Sequence, residues 1–458
     1  MKLTRREVLV GAAAGAVGAS GIYELVDKLA GATPVRAATG AKPPEQHLLN
    51  GVRTVRDNGV EVLVPPLHHE IVTARVAVDR SDLRDAQTTL EQALGKLDDE
   101  YAASPAGLGV TLAWGLPYFT RYVPAASARH LPKDRRAGGS ALLPARRFQS
   151  DPAGTVLESN DVAILIRSDT RQHIDDAIGR IEATKVFHIT SLRRGFAGGG
   201  FDGKRSLPKQ MALAVNLPGA ELIPETSELF LGFTSTQKAG MGPGEIANFE
   251  TLGIVDLRGS DYFRRGTHMH LSHVTEDLEA WYINFDFQQR VDSAFRPNLR
   301  VRPNAQTVHQ GPKDVSTEAD VLRDYHQSGA IGHSAALQTT TRLQKDTVGP
   351  DGTHYPKGSA IPIRADFNTL DNPFYWSEKP SEIGSSPMAG IHFIVFNPSS
   401  DDFHRNREAM DGILPGDVKI TFPPRDRNQG LNSILRTTHR QNYLVPPRVH
   451  RSFPLAEL

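Results

Sequence analysis

The chain has 458 residues, 39% of them hydrophobic, which is enough for about two or three domains and too apolar for global disorder. Its 52 basic and 52 acidic side chains cancel to a formal charge of +0, so no basic excess exists to neutralise the phosphates of a nucleic acid. There is no cysteine, which excludes disulfides, thiolate chemistry, iron–sulfur clusters and zinc–cysteine sites; the 17 histidines leave an imidazole-ligated metal or haem open.

The chain opens with MKLTRREVLVGAAAGAVGASGIYELV. Arg5 and Arg6 are followed by a weakly hydrophobic run from Val8 to Ile22, broken by Gly11, Gly15, Gly18 and Gly21. The run is short and bland for a permanent membrane span. It resembles a twin-arginine export signal, with a small-residue cleavage site near Val35-Arg36-Ala37. The resemblance implies recognition by the twin-arginine machinery and a periplasmic, cell-surface or extracellular protein. Residues 1–40 are therefore read as leader and 41–65 as a polar, Pro-bearing linker.

Beyond the linker, Glu70 to Asp79 carries the branched residues of a strand. Leu83 to Leu97 has apolar residues at helix spacing after the capping sequence Ser81-Asp82. Strands are expected at Gly107–Ala113 and Asp161–Arg167, a second helix at His173–Thr184 and a further strand at Val186–Leu192. Strand, helix, strand, strand, helix, strand is the split βαβ order of a ferredoxin-like α+β domain. It ends in the glycine-rich run GFAGGGFDGKRSLP. There, Asp202 lies between Gly199, Gly200 and Gly203, with Phe196 and Phe201 beside it. Glycines let the backbone turn sharply and approach a ligand closely, and apolar neighbours leave a carboxylate partly dry and its pKa adjustable. The second half reads similarly: a strand at Glu228–Phe233, a strand opening at Tyr262 and running through His268, His270 and Leu271, a helix around Glu276 to Gln289, a strand at Met388–Phe396, and a helix from Phe403 to Met410.

These features resemble the dye-decolorizing peroxidases. The G-x-x-D-G run followed by a proline, the segment SNDVAILIRSDTRQHIDDAIGRI and the segment DLEAWY with QQRV after it carry the resemblance, over roughly residues 65 to 440. It implies two ferredoxin-like domains, here 66–215 and 216–458, as antiparallel sheets with helices enclosing a haem pocket in a dimeric α+β barrel arrangement. It also implies haem b, hydrogen peroxide and an organic reducing substrate as cofactor and partners, with a homo-oligomer open.

The resemblance places the iron ligand at His333, in the G-H-x-A run, with His326 and His309 as alternatives. It places the distal cation at Arg364, with Arg342 as the alternative, and the distal acid–base at Asp202, whose loop glycines Gly199 and Gly203 and Phe201 would border the cofactor. Arg364 lacks the family's usual R-R-G-Y-like surroundings, which keeps open a non-enzymatic haem- or metal-binding protein on the same fold. Two readings stand apart from the resemblance. His268, His270 and His273 form H-x-H-x-x-H, in which the first two share a strand face and could bind zinc or copper. Trp114, Trp281 and Trp376 are core residues or relays for oxidising equivalents.

Overall fold

Runs of Val, Ile and Leu make the strands of the first half, because branched side chains suit a pleated surface buried on both faces. The computed structural model describes residues 21–30, 41–57, 60–134, 138–197, 205–225, 227–232, 262–299, 315–348, 352–423 and 429–458. A short helix α1 (Leu25–Ala30) precedes β1 (His68–Val76), α2 (Leu83–Glu100), β2 (Gly109–Gly115), β3 (Val162–Ser168), α3 (Arg171–Ala183) and β4 (Phe187–Phe196). The strands pair antiparallel in the order β4-β1-β3-β2, the ferredoxin-like arrangement that the element order predicts. Leu90, Leu94 and Ile174 from α2 and α3 pack on Val72, Leu112 and Ile164 of the sheet.

The second half begins with α4 (Leu207–Ala214). It continues through β5 (Thr267–Glu276), α5 (Phe287–Ala294), α6 (Glu318–Ser328), α7 (His333–Thr341), β6 (Phe367–Thr369), β7 (Gly390–Asn397), α8 (Ser400–Met410) and β8 (Leu435–Val445). Its strands pair antiparallel as β8-β5-β7-β6, the same order again. The two sheets then join at both edges. Trp114 and Gly115 of β2 pair with Leu444 and Tyr443 of β8, and Phe196 of β4 pairs with Asn368 of β6. The strands β1 to β8 therefore close into one barrel. Alternate residues fill its inside, among them Ile71, Leu165, Leu271, Phe367, Ile394 and Tyr443.

A glycine stands at each seam. A Cβ on Gly115 would overlap the Asn160 carbonyl and press on the Gln441 side chain of β8. A Cβ on Gly195 would overlap the Asn368 carbonyl and the Phe367 ring of β6. The absent side chain is what allows the neighbouring backbones to meet there.

Three elements differ from the sequence expectation. Residues 227–232 form turns and bends, not a strand. The Tyr282 hydroxyl donates to the Phe230 carbonyl (2.7 Å) and Trp281 Nε1 to the Leu231 carbonyl (2.8 Å), and Gly232 turns with φ +83°. Side chains thus occupy carbonyls that a ladder would have used. The helix expected over 276–289 is divided: Glu276 ends β5, Ala280–Asn284 is a π-helical turn, and α5 restarts behind a capping box at Asp286 and Gln289. The closing strand β8 was not anticipated, because its sequence LRTTHRQNYLV is polar on both faces.

Residues 21–30, grouped with the leader on sequence grounds, pack into the body. Ile22, Tyr23 and Val26 are buried with Leu67, Phe196 and Met211. The Tyr23 hydroxyl lies 3.1 Å from Thr369 Oγ1 and accepts the Leu370 N–H at 3.1 Å; Asp27 lies 2.7 Å from His68 Nε2. A cut near Ala37 would detach a segment that belongs to the core. Tyr23→Ala should lower the unfolding free energy by about 3–5 kcal/mol, the usual loss for truncating a large buried aromatic. Tyr23→Phe should lower it by about 1 kcal/mol, the worth of its hydroxyl bonds. Urea denaturation of both variants tests this; unchanged midpoints would mean the segment is not held.

Candidate functional site

In the second half the sheet's outer face is only partly covered. Along β5, Ser272, Val274 and Glu276 point one way, since side chains alternate across a strand. The ladders set Phe393 and Ile391 of β7 beside Ser272 and Val274, and Arg440 of β8 on the other side of Ser272. These residues form the floor of a cavity whose facing wall comes from α7 and α8. The cavity holds about 1550 Å³ of space free of protein atoms, its open mouth included. Its lining is mostly apolar, with Leu231, Leu337, Leu431 and Leu435 among the contributors.

His333 is the first residue of α7 and lines this cavity. The helix start is seated by Gly332, where a Cβ would overlap the Phe295 carbonyl, and by the Ser334 hydroxyl, which donates to the Ala294 carbonyl at 2.9 Å. Gly430 approaches closely from the other side, where a Cβ would lie 3.0 Å from the His333 backbone nitrogen. Nδ1 of His333 is buried without a hydrogen-bond partner. Burial, then the nearby charges of Arg364 and Arg407, push its pKa down to about 3, so the ring is neutral across the physiological range. A helix N-terminus acts in the same sense.

Arg364 lines the same cavity, so the structure brings together these two residues, far apart in sequence. It lies on a two-residue strand, Ile363–Arg364, paired to Phe396 and Val395 of β7, with its guanidinium 5.6 Å from the Phe393 ring centre. Its Nε and Nη2 donate to the two oxygens of Asp366 at 2.8 and 2.6 Å. Arg342 also lines the cavity and donates to the Gly358 carbonyl at 3.3 Å. His326 is exposed on α6 and is not part of the lining. Gly199, Phe201, Asp202, Gly203 and His309 lie outside the described residues.

Three cavity residues were not singled out from sequence. Arg407 on α8 and Arg440 on β8 share one carboxylate: Asp151 Oδ1 accepts from Arg440 Nη2 at 2.6 Å and from Arg407 Nη2 at 3.4 Å. Both guanidiniums lie over the Phe148 ring, at 4.8 and 5.5 Å. Burial lowers the pKa of Arg440 to about 10. The third residue is Glu276, whose Oε2 has no partner; burial first, then the charge of Asp366, raise its pKa to about 8. Nothing in the sequence marks Arg440, whose strand has no apolar alternation. Glu276 was legible only as the start of the DLEAW helix.

The histidine motif divides across the sheet. His268 and His270 share a face, and His273 sits where the opposite face turns inward. The ring nitrogens of His270 are taken by Asn442 Oδ1 and Ser272 Oγ, both at 2.6 Å. Among the described residues no group of three His, Asp or Glu side chains is placed to hold a metal ion. Trp114 and Trp281 are buried and Trp376 is 41% exposed. Phe393 faces the cavity, while Phe396 fills the barrel.

Fold and site together define a protein of two ferredoxin-like halves closed into one α+β barrel, with a histidine-bearing cavity on its second half. The chain belongs to a family of unknown function (DUF7405), which residues 66–447 match. No curated protein matches the chain. Among solved structures it is similar to a DypB variant of Rhodococcus jostii RHA1 in complex with heme, at TM-score 0.50 and 12% identity over 85% of this chain and 96% of that one. It is also similar to a dye-decolorizing peroxidase from Bacteroides thetaiotaomicron (0.49, 12%, 85% and 98%) and a putative dyp-type peroxidase from Shewanella oneidensis (0.48, 16%, 86% and 95%). At such identities the Rhodococcus likeness is one of fold.

Buried neutral histidines predict an acid weakness. Below about pH 6.5 the unfolded chain takes up protons that His333 refuses until about pH 3, so stability falls with pH across that window. Urea midpoints measured from pH 7 to pH 4 should fall, and fall less steeply in His333→Leu. Equal slopes would show that His333 is protonated in the fold.

Proposed function

We propose that this chain is an exported, haem-dependent peroxidase of the dye-decolorizing type. The observation that carries the reading is His333: a neutral imidazole with an unpartnered nitrogen, set in an apolar cavity among arginines. A neutral imidazole nitrogen could hold iron, and apolar walls suit a porphyrin. These residues fit haem b. When bound, haem b would supply the two-electron reduction of hydrogen peroxide and the single-electron oxidation of organic substrates.

The chain's own part is to hold, orient and protect. His333 would hold the iron. The buried guanidiniums of Arg407 and Arg440 would hold carboxylates of the cofactor, since a fork of N–H donors suits a carboxylate. Arg364 would stabilise negative charge on the peroxide oxygens. Asp202 would move the peroxide proton, a task that a carboxylate of ordinary pKa near 3.9 does best in acid. A second reading is favoured by the Arg364–Asp366 pair: a guanidinium held by a carboxylate has less charge to offer, as in a haem-binding protein without peroxidase activity.

Protein produced with haem supplied should show a Soret band, and His333→Ala should lose it; a band retained in that variant would move the ligand elsewhere. Arg364→Leu and Asp202→Asn should keep the band and react with peroxide about 10²–10³-fold more slowly. Parent-like rates in Arg364→Leu would move the cation to Arg342, and a Soret band without peroxide reactivity in the parent protein would favour the non-enzymatic reading. The export part of the reading rests on Arg5 and Arg6, with residues 21–30 kept in the core and not cleaved away: replacing both arginines by Lys should hold the protein inside the cell, and undiminished export would remove the twin-arginine assignment.

A further inference from the structure

The cavity contains a carboxyl that the reading above does not use. Among the described residues that line it, Glu276 is the one acid. It is the last residue of β5, on the same strand face as Ser272 and Val274, and its backbone N–H is tied to the Ala389 carbonyl at 2.9 Å. Its position in the floor is therefore set by the ladder. The residue is 8% exposed, and Oε2 has no hydrogen-bond partner.

Its surroundings favour the protonated form. A buried carboxylate needs a cation or donors to remain ionised. The cavity arginines are engaged elsewhere: Arg364 with Asp366, Arg407 and Arg440 with Asp151, and Arg342 with the Gly358 carbonyl. The charge that reaches Glu276 most strongly is that of Asp366, which is repulsive. Tyr282 on the π-helical turn is a further titratable neighbour, itself pushed up by burial and, to a lesser degree, by Glu276. Arg290 of α5 lies over the Tyr282 ring at 5.2 Å and acts on that tyrosine. His333, on the facing wall, is neutral.

We propose that Glu276 is a further acid–base residue of this cavity, meeting it as the neutral acid and exchanging its proton with a small oxygen ligand, hydrogen peroxide on the peroxidase reading, on which this inference rests. The O–H bond of the carboxyl breaks toward a ligand oxygen as negative charge gathers there. The carboxylate left behind regains a proton from solvent through the cavity mouth. No net electron transfer is involved at Glu276. Glu276 would then supply its proton up to about pH 8.

Two measurements on Glu276→Gln, which keeps the shape and deletes the titration, test this. The first uses the protein without cofactor. Infrared spectra of the wild type at pH 7 should show the C=O stretch of a protonated carboxyl that shifts in D2O and disappears as pH rises through about 8. Glu276→Gln should lack that component, while the protonated-carboxyl band of buried Asp371, whose pKa burial raises to about 7, remains. If the wild type lacks it too, Glu276 is ionised and the proposal falls, whatever the protein does with haem. The second follows the reaction of haem-loaded protein with peroxide against pH. The wild-type rate should drop as pH rises through about 8, whereas Glu276→Gln, with its Soret band intact, should react about 10²-fold more slowly and without that inflection. A wild-type profile in the variant would overturn proton exchange with peroxide. A wild type that gains no Soret band would overturn the haem reading and the peroxide assignment with it, while the infrared result would still decide whether Glu276 is a neutral acid.

Discussion

The closure of the strand ring is the constraint on which the rest depends. Two ferredoxin-like sheets could stack or stand apart; here they join edge to edge, through two residue pairs between β2 and β8 and one between β4 and β6. These seams are short, and Gly115 and Gly195 let the backbones meet where any Cβ would intrude. Closure removes the exposed edges that a four-stranded sheet would present. It also commits one face of every strand to the barrel interior, so the other face must be covered by helices or left as cavity wall.

The two halves answer that demand differently. Over the first sheet, α2 and α3 pack directly, with leucines and isoleucines against the strand side chains. Over the second, α7 and α8 face the sheet across a space bordered by Ser272, Val274 and Phe393. A slip of one residue in β5 would turn Ser272, Val274 and Glu276 into the barrel and bring His273 out. The ten-residue ladder of β5 with β8 and the eight-residue ladder of β5 with β7 forbid it. The chemical character of the cavity floor is thus a consequence of register.

Within the cavity, charge is arranged in two ranks. Arginines reach the space itself, and the carboxylates that balance them, Asp366, Asp151 and Asp411, are held behind. Titratable groups without such partners are neutral: His333 gives up its proton and Glu276 keeps its own, both chiefly through burial. On the proposed reading, a neutral nitrogen donor and a neutral oxygen acid beside fixed cations would serve a cofactor with anionic edges and a small polar oxidant.

The element order of the first half, the alternation of its strands and the helical spacing of Leu83–Leu97 determined by themselves that the chain builds a ferredoxin-like α+β unit, because local periodicity suffices where each element buries one regular face. The run G-H-x-A and its family resemblance likewise singled out His333, a residue type whose chemistry is legible without coordinates. What only the tertiary structure decided is how these parts converge. The strand Leu435–Val445 has polar residues on both sides, since Gln441 on one face bonds to Asn160 while Arg440 on the other reaches the cavity, so no periodic signal announces it. Arg407 and Arg440 became cavity residues only when α8 and β8 were brought across the same floor. Glu276 changed from a helix start to the last residue of a strand because the ladder to Leu435 extends that far. Tyr23, grouped with the leader on sequence grounds, is buried in the core with Phe196 and Leu67. Each of these depends on contacts between residues far apart in the chain, and the physical quantities that govern them, burial, register and the distance between charges, are properties of the folded molecule.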